Sequence, residues 1–155
     1  MWDYLLLKTL HIISATVLFG TGLGTAFFMY KAVRTGSVEA IRVTASHVII
    51  ADWWFTTPAV LIQPLTGALL MQRLGYGFDT PWFFTVAGLY LLAGVCWVPV
   101  VVIQCRMKQI VSQNADNTIL PEMFYWWFRV WIRLGIPAFF AVLAVFVLMV
   151  YRPGL

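Results

Sequence analysis

The stretch LLLKTLHIISATVLFGTGLG, residues 5–24, decides the fold, because its apolar run continues to Tyr30 and is long enough to cross a membrane. A bilayer core about 30 Å thick requires roughly 20 predominantly apolar helical residues. The chain has 155 residues, of which 62% are hydrophobic and 10% are charged. One small globule cannot bury that much apolar surface, so the remaining surface must face lipid.

Three further apolar stretches, centred near residues 60, 94 and 143, are as long as the first. The sequence therefore predicts an all-α, polytopic membrane protein with a four-transmembrane-helix bundle, and residues 1–155 form a single domain. Helix one is expected over about residues 2–30. Pro58 and Pro64 are expected to bend helix two, and Pro99 to bend helix three, because each proline removes a backbone hydrogen bond.

The connection between helices one and two, residues 31–47, is too polar for the bilayer core. Four apolar residues in or just after it nevertheless recur at roughly helical spacing: Val38, Ile41, Val43 and Val48. This spacing predicts an interfacial amphipathic segment that leads into helix two.

Lysine and arginine collect in cytoplasmic loops, so their distribution predicts the orientation. One side of the predicted bundle carries seven of them, Lys31, Arg34, Arg42, Arg106, Lys108, Arg129 and Arg133, and the other side three, Lys8, Arg73 and Arg152. This asymmetry places both termini outside, in the periplasm of a bacterium. The net charge of +4 then reflects the orientation of the chain in the membrane. Anionic lipid head groups are sufficient partners for this charge, so nucleic acid is not needed as a partner.

His11 is the polar residue that most needs an explanation, because polar groups at membrane depth are costly. The same helix face continues through small residues, Ser14, Ala15 and Gly22, so that a flat slot lies along it. A heme b fits such a slot, with His11 as the metal ligand, since neutral imidazole is a common axial ligand of heme iron. The alternatives are a hydrogen bond from His11 to Gln63, a hydroxyl or water, or a proton relay.

Other polar residues form a candidate network of His47, Asp52, Gln63 and Gln104. His47 lies at the opposite membrane level from His11, roughly 15 to 35 Å away along the bilayer normal, so one heme cannot use both histidines. Asp52 must be paired, protonated or hydrated if it is buried. Arg129 and Arg133 share a helix face and are candidates to meet Asp52 or the propionates of a heme, or simply to reach lipid phosphates.

Sulfur and glycine residues give weaker indications. Cys96 and Cys105 lie nine residues apart on opposite faces of one helix, so they cannot form a disulfide with each other. A copper-type site from His47, Cys105 and Met29 has no supporting spacing. Gly20 and Gly24 form a GxxxG pair, which predicts close helix packing within the bundle, with dimerisation as the alternative.

Four segments carry a resemblance to a known family: LKTLHIISATVLFGTGLG, ADWWFTTPAVLIQPLTGALL, LYLLAGVCWVPVVVIQCRM and LGIPAFFAVLAVFVLMVY. Together they resemble a bacterial family of four-helix inner-membrane proteins classified as a domain of unknown function. The resemblance spans nearly the whole chain and implies a multi-pass protein of the bacterial inner membrane.

A more distant similarity rests on Lys8, two further residues, His11 and an apolar run that ends in glycine. This pattern is similar to membrane protoporphyrinogen oxidases of the HemJ type and to CopD-type membrane proteins. The first of these implies that His11 ligates heme b.

Three functions remain open from the sequence. The leading hypothesis is a heme b or quinone pocket near His11 that serves electron transfer or a redox step. The second is a non-enzymatic accessory or assembly subunit of a larger membrane complex or of a homo-oligomer. The third is an oligomeric carrier of protons or a metal ion through Asp52 and His47. Whether the protein is an enzyme is left open.

Overall fold

The computed structural model describes residues 2–115 and 119–151, and of Trp2 the backbone alone. Arg152, used above for the orientation, lies outside the described residues. The described chain is helical nearly throughout, in five α-helices and one π-helical turn: α1 (Trp2–Thr35), α2 (Val38–Ala51), the π-turn (Asp52–Thr56), α3 (Thr57–Leu74), α4 (Pro81–Gln113) and α5 (Glu122–Tyr151). Four spans are long and apolar enough to cross a membrane, which confirms the predicted fold class.

Helix ends follow local capping chemistry. Gly36 and Gly75 adopt positive φ of 72° after α1 and α3, a left-handed conformation that glycine reaches without a steric penalty. Ser37 begins α2 by accepting a hydrogen bond from the Ala40 amide, and Thr80 begins α4 by accepting one from Phe83. Helix one therefore ends at Thr35, five residues beyond the predicted Tyr30, because Gly36 supplies the stop.

The second span is one continuous helical rod from Val38 to Leu74, with the π-turn in its middle. The amphipathic segment of the sequence analysis is α2, the first part of this rod, and the π-turn joins it to α3 without a break in the helix. Its buried face consists of Val38, Ile41, Ala45 and Val48. Val43 was predicted on that face but is 38% exposed, because Ala45 occupies the contact with the neighbouring helices instead.

The bundle consists of two helical hairpins. In one, α1 packs along α2 and α3, and in the other α4 packs along α5, while α2 against α4 and α1 against α5 join them. The densest packing lies at the end of the bundle where α1 turns into α2 and α4 connects to α5. This tight end is built from Met29, Ala32, Val38, Ile41, Ala45, Val48, Val100, Ile103, Met107, Val111, Leu120, Phe124, Phe128 and Trp131.

The opposite, open end of the bundle is held by a few specific contacts. The indole of Trp82 donates to the Leu148 carbonyl at 2.9 Å, which ties α4 to α5. Phe19 of α1 packs against Phe139 and Phe146 of α5, with ring centroids 5.2 and 5.3 Å apart. Because the helices are closely packed at one end and loosely tied at the other, space remains between them in the middle.

Candidate functional site

A cavity of about 470 Å³ lies between the helices, directly above the tight end. All four spans line it: α1 from Leu18 to Tyr30, the second span from Asp52 to Val60, α4 from Tyr90 to Gln104, and α5 from Trp131 to Val142. Its volume is within the range of about 300–1,000 Å³ that is typical of small-molecule pockets. Most of the wall is aliphatic, aromatic or glycine, so the cavity suits a molecule that dissolves in lipid.

Polar side chains collect where the cavity meets the tight end, and we call Asp52, Thr56, Gln104 and Trp131 the polar floor. The Thr56 hydroxyl donates to Asp52 Oδ1 at 2.7 Å, and the Gln104 side chain also interacts with the Asp52 carboxyl. Asp52 is 6% exposed. Gln104 and Trp131 also border a void of about 10 Å³ beneath the floor, so they separate the cavity from the core.

The π-turn positions Asp52 and Thr56 on the cavity side. Thr57 donates both its backbone N–H and its hydroxyl, the latter at 2.9 Å, to the Asp52 carbonyl. Pro58 follows immediately and has no N–H to continue an α-helical ladder. A π-turn with its i→i+5 bond accommodates this gap, and such turns occur frequently at functional sites. Pro58 was expected to bend helix two, and what the structure shows immediately before it is a wider turn at the floor of the cavity.

Pro64 creates a second gap, which a cavity residue fills. The missing N–H of Pro64 leaves the Val60 carbonyl without its helical donor. The hydroxyl of Tyr90, on α4, donates to that carbonyl at 2.6 Å. Both Val60 and Tyr90 line the cavity, so this hydrogen bond joins two of its walls.

Three atoms of the cavity-lining residues are buried without a hydrogen-bond partner in the described part of the chain: Trp97 Nε1, Trp131 Nε1 and Gln104 Oε1. Two are donors and one is an acceptor. Buried polar atoms are rarely left unpaired, since each unpaired group costs about 1–3 kcal/mol. These atoms have almost no accessible surface, so the candidate functional site rests on the cavity itself and on the hydrogen-bonded pair Asp52 and Thr56 in its floor.

His11 lies outside this cavity. Its Nδ1 is 2.7 Å from the hydroxyl oxygen of Thr66 on α3, and the hydroxyl of Ser14 donates to the His11 carbonyl. A Cβ added at Gly67 would lie 3.4 Å from His11 Cε1, so the imidazole packs close to the α3 backbone. The hydrogen bond to a hydroxyl was one of the alternatives raised by the sequence, and it ties α1 to α3.

The flat slot predicted beneath His11 is divided in the structure. Gly22 lines the cavity, whereas His11, Ser14 and Ala15 do not. Ser14 is buried, and the nearby Gln63 is buried with its Oε1 unpartnered among the described residues. The residues predicted to bind a cofactor therefore lie in two separate regions. His11, Ser14 and Ala15 lie in or near a polar region around Thr66, and Gly22 lines the cavity.

Arg129 and Arg133 lie on an exposed face of α5, and neither forms an ion pair with Asp52. The expectation that one of them meets Asp52 is therefore wrong. The buried face of α5 instead carries Phe124, Phe128 and Trp131, so the arginines point away from the floor. Their predicted contact with carboxylates of a ligand stays a prediction.

The remaining candidates are dispersed. His47 is exposed, while Asp52 is buried, so the two face different sides of the same rod. Thr66, the partner of His11, follows His47 by 19 residues, which at about 1.5 Å per residue corresponds to roughly 28 Å along the helix.

Cys96 and Cys105 are both free, as expected from their spacing. Cys105 is exposed and Met29 is buried, and no group of three or more His, Cys, Asp or Glu side chains suited to a metal ion occurs among the described residues.

The GxxxG pair is not a packing contact within the bundle. A Cβ added at Gly20 or Gly24 would meet no atom within 4 Å of the rest of the described chain, so the expectation of close packing there is wrong. Neither glycine lines the cavity, and Gly20 is exposed, so this part of α1 faces outward from the bundle.

Sequence reasoning missed Trp97, Trp131, Thr56 and Tyr90. A signal for Trp97 was present, because it lies at the centre of α4, whereas tryptophan is usually concentrated at the membrane–water interfaces. Tyr90 was harder to predict. Pro64 leaves the Val60 carbonyl without a helical donor, but the sequence does not show which residue of another helix faces that carbonyl.

The fold and the site together define a helical membrane protein with four spans and an internal cavity large enough for a small lipid-soluble molecule. Over residues 5–153 the chain matches the family described as "Predicted integral membrane protein (DUF2269)", and it belongs to that family. No curated protein and no solved structure matches the chain. The similarity to HemJ-type and CopD-type proteins therefore stays a prediction.

Proposed function

We propose that the protein binds an amphipathic small molecule dissolved in the membrane and that this molecule serves electron transfer or another redox step. The observation that carries the proposal is the cavity of about 470 Å³, which all four spans line and which is apolar except for the polar floor at one end. A membrane-dissolved molecule places its apolar part against the aliphatic and aromatic walls. Its polar end lies at the polar floor, where Asp52 and Thr56 are part of the lining. A quinone is one redox molecule of this description.

The test is to identify what the protein retains. The chain is purified in a mild detergent, extracted with organic solvent and analysed by mass spectrometry, beside a mock preparation from membranes without the protein. We expect one small lipid-soluble molecule to be enriched in a near-stoichiometric amount. A preparation that carries only the phospholipids of the mock sample contradicts the proposal. If a protein subunit copurifies stoichiometrically in place of a small molecule, the accessory-subunit hypothesis is favoured.

Heme b at His11 is the second candidate function. The observation in its favour is the hydrogen bond with Thr66, whose hydroxyl lies 2.7 Å from the Ile62 carbonyl and donates to it. Thr66 then accepts from Nδ1–H of His11, and Nε2 keeps its lone pair. Histidines that bind metals commonly have their other ring nitrogen held in this way. His11 would hold the iron, and a bound heme would supply one-electron chemistry.

The heme candidate predicts a visible spectrum. The protein purified from cells supplied with heme precursors is expected to show a Soret band, which His11→Ala removes because the axial ligand is lost. His47→Ala is the control, since His47 is exposed and far along the rod. A colourless wild-type preparation, or a band that persists in His11→Ala, contradicts heme ligation at this residue.

We place the protein in a bacterial inner membrane with both termini outside. Support comes from the charge asymmetry among the described residues, in which seven lysines and arginines lie on the side of the tight end and two, Lys8 and Arg73, on the other. A homo-oligomer is supported by the GxxxG pair, because Gly20 and Gly24 meet no neighbouring helix within the described chain. Proton or metal-ion carriage has weaker support, since Asp52 and His47 face different sides.

A further inference from the structure

The cavity is open to its surroundings on one side. Six of its lining residues in the described chain are exposed: Gly22, Leu23, Tyr30, Gly135, Ile136 and Phe140. All six belong to α1 or α5, whereas the lining residues of the second span and of α4 are buried or half-buried. The opening therefore lies between α1 and α5, and we call this gap the window.

Packed side chains close the window at its two ends. Toward the open end of the bundle, the ring of Phe19 lies 5.2 Å from that of Phe139 and 5.3 Å from that of Phe146. Toward the tight end, Trp131 is buried in the core. Between these levels, a Cβ added at Gly22 or Gly135 would meet no atom of a neighbouring helix within 4 Å. The two helices thus leave space between them at this height.

The window faces the hydrocarbon of the bilayer. In α1 no Asp, Glu, Lys or Arg lies between Lys8 and Lys31, and in α5 none follows Arg133 up to Tyr151. Lys31 and Arg133 mark the level of the lipid head groups, because basic side chains near the ends of membrane spans extend to the interface. Ile136 lies three residues beyond Arg133, roughly 4.5 Å along the helix, so the window begins just inside that level.

The rim of the window is apolar. Leu23, Ile136 and Phe140 in this rim are 49%, 53% and 61% exposed. A hydrocarbon chain crosses such a rim without losing hydration, because it moves from one apolar environment to another. A polar solute that reached the window from water would have to give up its hydration in the bilayer, which is unfavourable. The window therefore suits a molecule dissolved in lipid.

Resting on the proposed function, we infer that the ligand enters the cavity sideways from the bilayer and belongs to the class of lipids with a long hydrocarbon chain. Its polar end lies at the floor beside Asp52 and Thr56, which are part of the lining. Its chain passes between Leu23 and Ile136 and continues into the bilayer. Because the window is open, the chain is not confined to the cavity and can be longer than the cavity itself.

The experiment asks whether a hydrocarbon chain crosses the window. The full chain is placed in nanodiscs of phosphatidylcholine that carries a photoactivatable diazirine at the end of one acyl chain, and cross-links are located by mass spectrometry after irradiation. Ala93 and Trp97 are half-buried on α4 and line the cavity, whereas Val95 on the same helix is exposed and lies outside it. We expect cross-links at Ala93 and Trp97 as well as at Val95. Cross-links confined to outer residues such as Val95 overturn the inference.

A double variant, Gly22→Leu with Gly135→Leu, narrows the window from both sides. Cross-linking at Ala93 and Trp97 relative to Val95 is expected to fall at least about fivefold, which corresponds to about 1 kcal/mol of steric cost. Circular dichroism verifies that the variant is folded. An unchanged ratio in the folded double variant shows that the chain does not enter between α1 and α5, which overturns the inference.

Gly88→Leu is the matched control for the double variant. Gly88 is exposed on α4, lies outside the cavity and has an equally open Cβ position, so the cross-linking ratio should stay at the wild-type value. Solvent extraction of the purified protein tests the proposed function separately. An enriched molecule without cross-links at Ala93 and Trp97 removes the window alone, and such cross-links without an enriched molecule remove the proposed function alone.

Discussion

Gly94→Leu is expected to weaken binding of a benzoquinone probe with a decyl chain to the protein in lipid nanodiscs at least about 30-fold, which corresponds to about 2 kcal/mol. Gly94 lines the cavity from α4, and a Cβ built there meets no atom within 4 Å of the described chain. The added Cβ therefore fits without a clash, and the rest of the leucine side chain takes up space that the ligand needs. Leucine also has a higher helix propensity than glycine, so the helix itself is not weakened. Equilibrium dialysis in nanodiscs measures the affinity.

Gly88→Leu is the matched control for this substitution. Gly88 lies on the same helix, its Cβ position is equally open, and it is not part of the cavity wall. Its affinity should remain within about twofold of the wild type, since a surface substitution away from the site changes little. If Gly94→Leu and Gly88→Leu bind the probe equally well, the cavity is not where the ligand lies.

Phe124→Ala is expected to lower the free energy of unfolding by about 3–5 kcal/mol, the usual cost of removing a fully buried phenylalanine side chain. Phe124 is 0% exposed and lies at the tight end, where its ring is parallel to that of Phe128 at a centroid distance of 6.4 Å. Within lipid, helix association depends on close packing, so the lost contacts are not recovered by burial elsewhere. Titration with sodium dodecyl sulfate, followed by circular dichroism, measures the effect.

Phe84→Ala provides the comparison at the open end. Phe84 is 64% exposed and contacts Phe83 at a centroid distance of 5.8 Å. Its removal should cost less than about 1 kcal/mol, because it takes few contacts away from the bundle. An equal loss of stability in both variants would show that the stabilising contacts are not concentrated at the tight end.

The fold was predictable from the sequence because one physical effect dominates it. Backbone groups in lipid must bond within their own segment, so four long apolar stretches allow little other than four helices. The limits of the helices were less predictable. The sequence becomes polar at Lys31, but α1 continues to Thr35, where Gly36 ends it. The second helical rod begins already at Val38, because Ser37 caps its first turn.

The candidate site was predictable only in part. Asp52 and Gln104 attracted attention as polar residues at membrane depth, and both are in the polar floor. Arg129 and Arg133 share a face, as their spacing predicts, but periodicity alone does not show whether that face meets the bundle or its surroundings. The structure adds this information through Trp131, whose burial fixes the rotation of α5.

His11 shows a different limit of sequence reasoning. The sequence showed that placing His11 at membrane depth is costly, and a hydroxyl was one of the hydrogen-bond partners considered for it. The partner proved to be Thr66, 55 residues away along the chain. No local pattern reveals such a pair, because it depends on how α1 and α3 are set against each other. The small residues after His11 indicated open space, and Gly22 does border the cavity.

The π-turn gives the second span a place where its length can change. The five residues Asp52–Thr56 wind through about the same angle as four α-helical residues, so deleting one of them would leave α3 at nearly its present rotation about the axis. A deletion between Thr57 and Thr66 would instead rotate everything after it by about 100° and move Thr66 away from His11. Homologous chains whose second span differs by one residue should therefore gain or lose it at this turn.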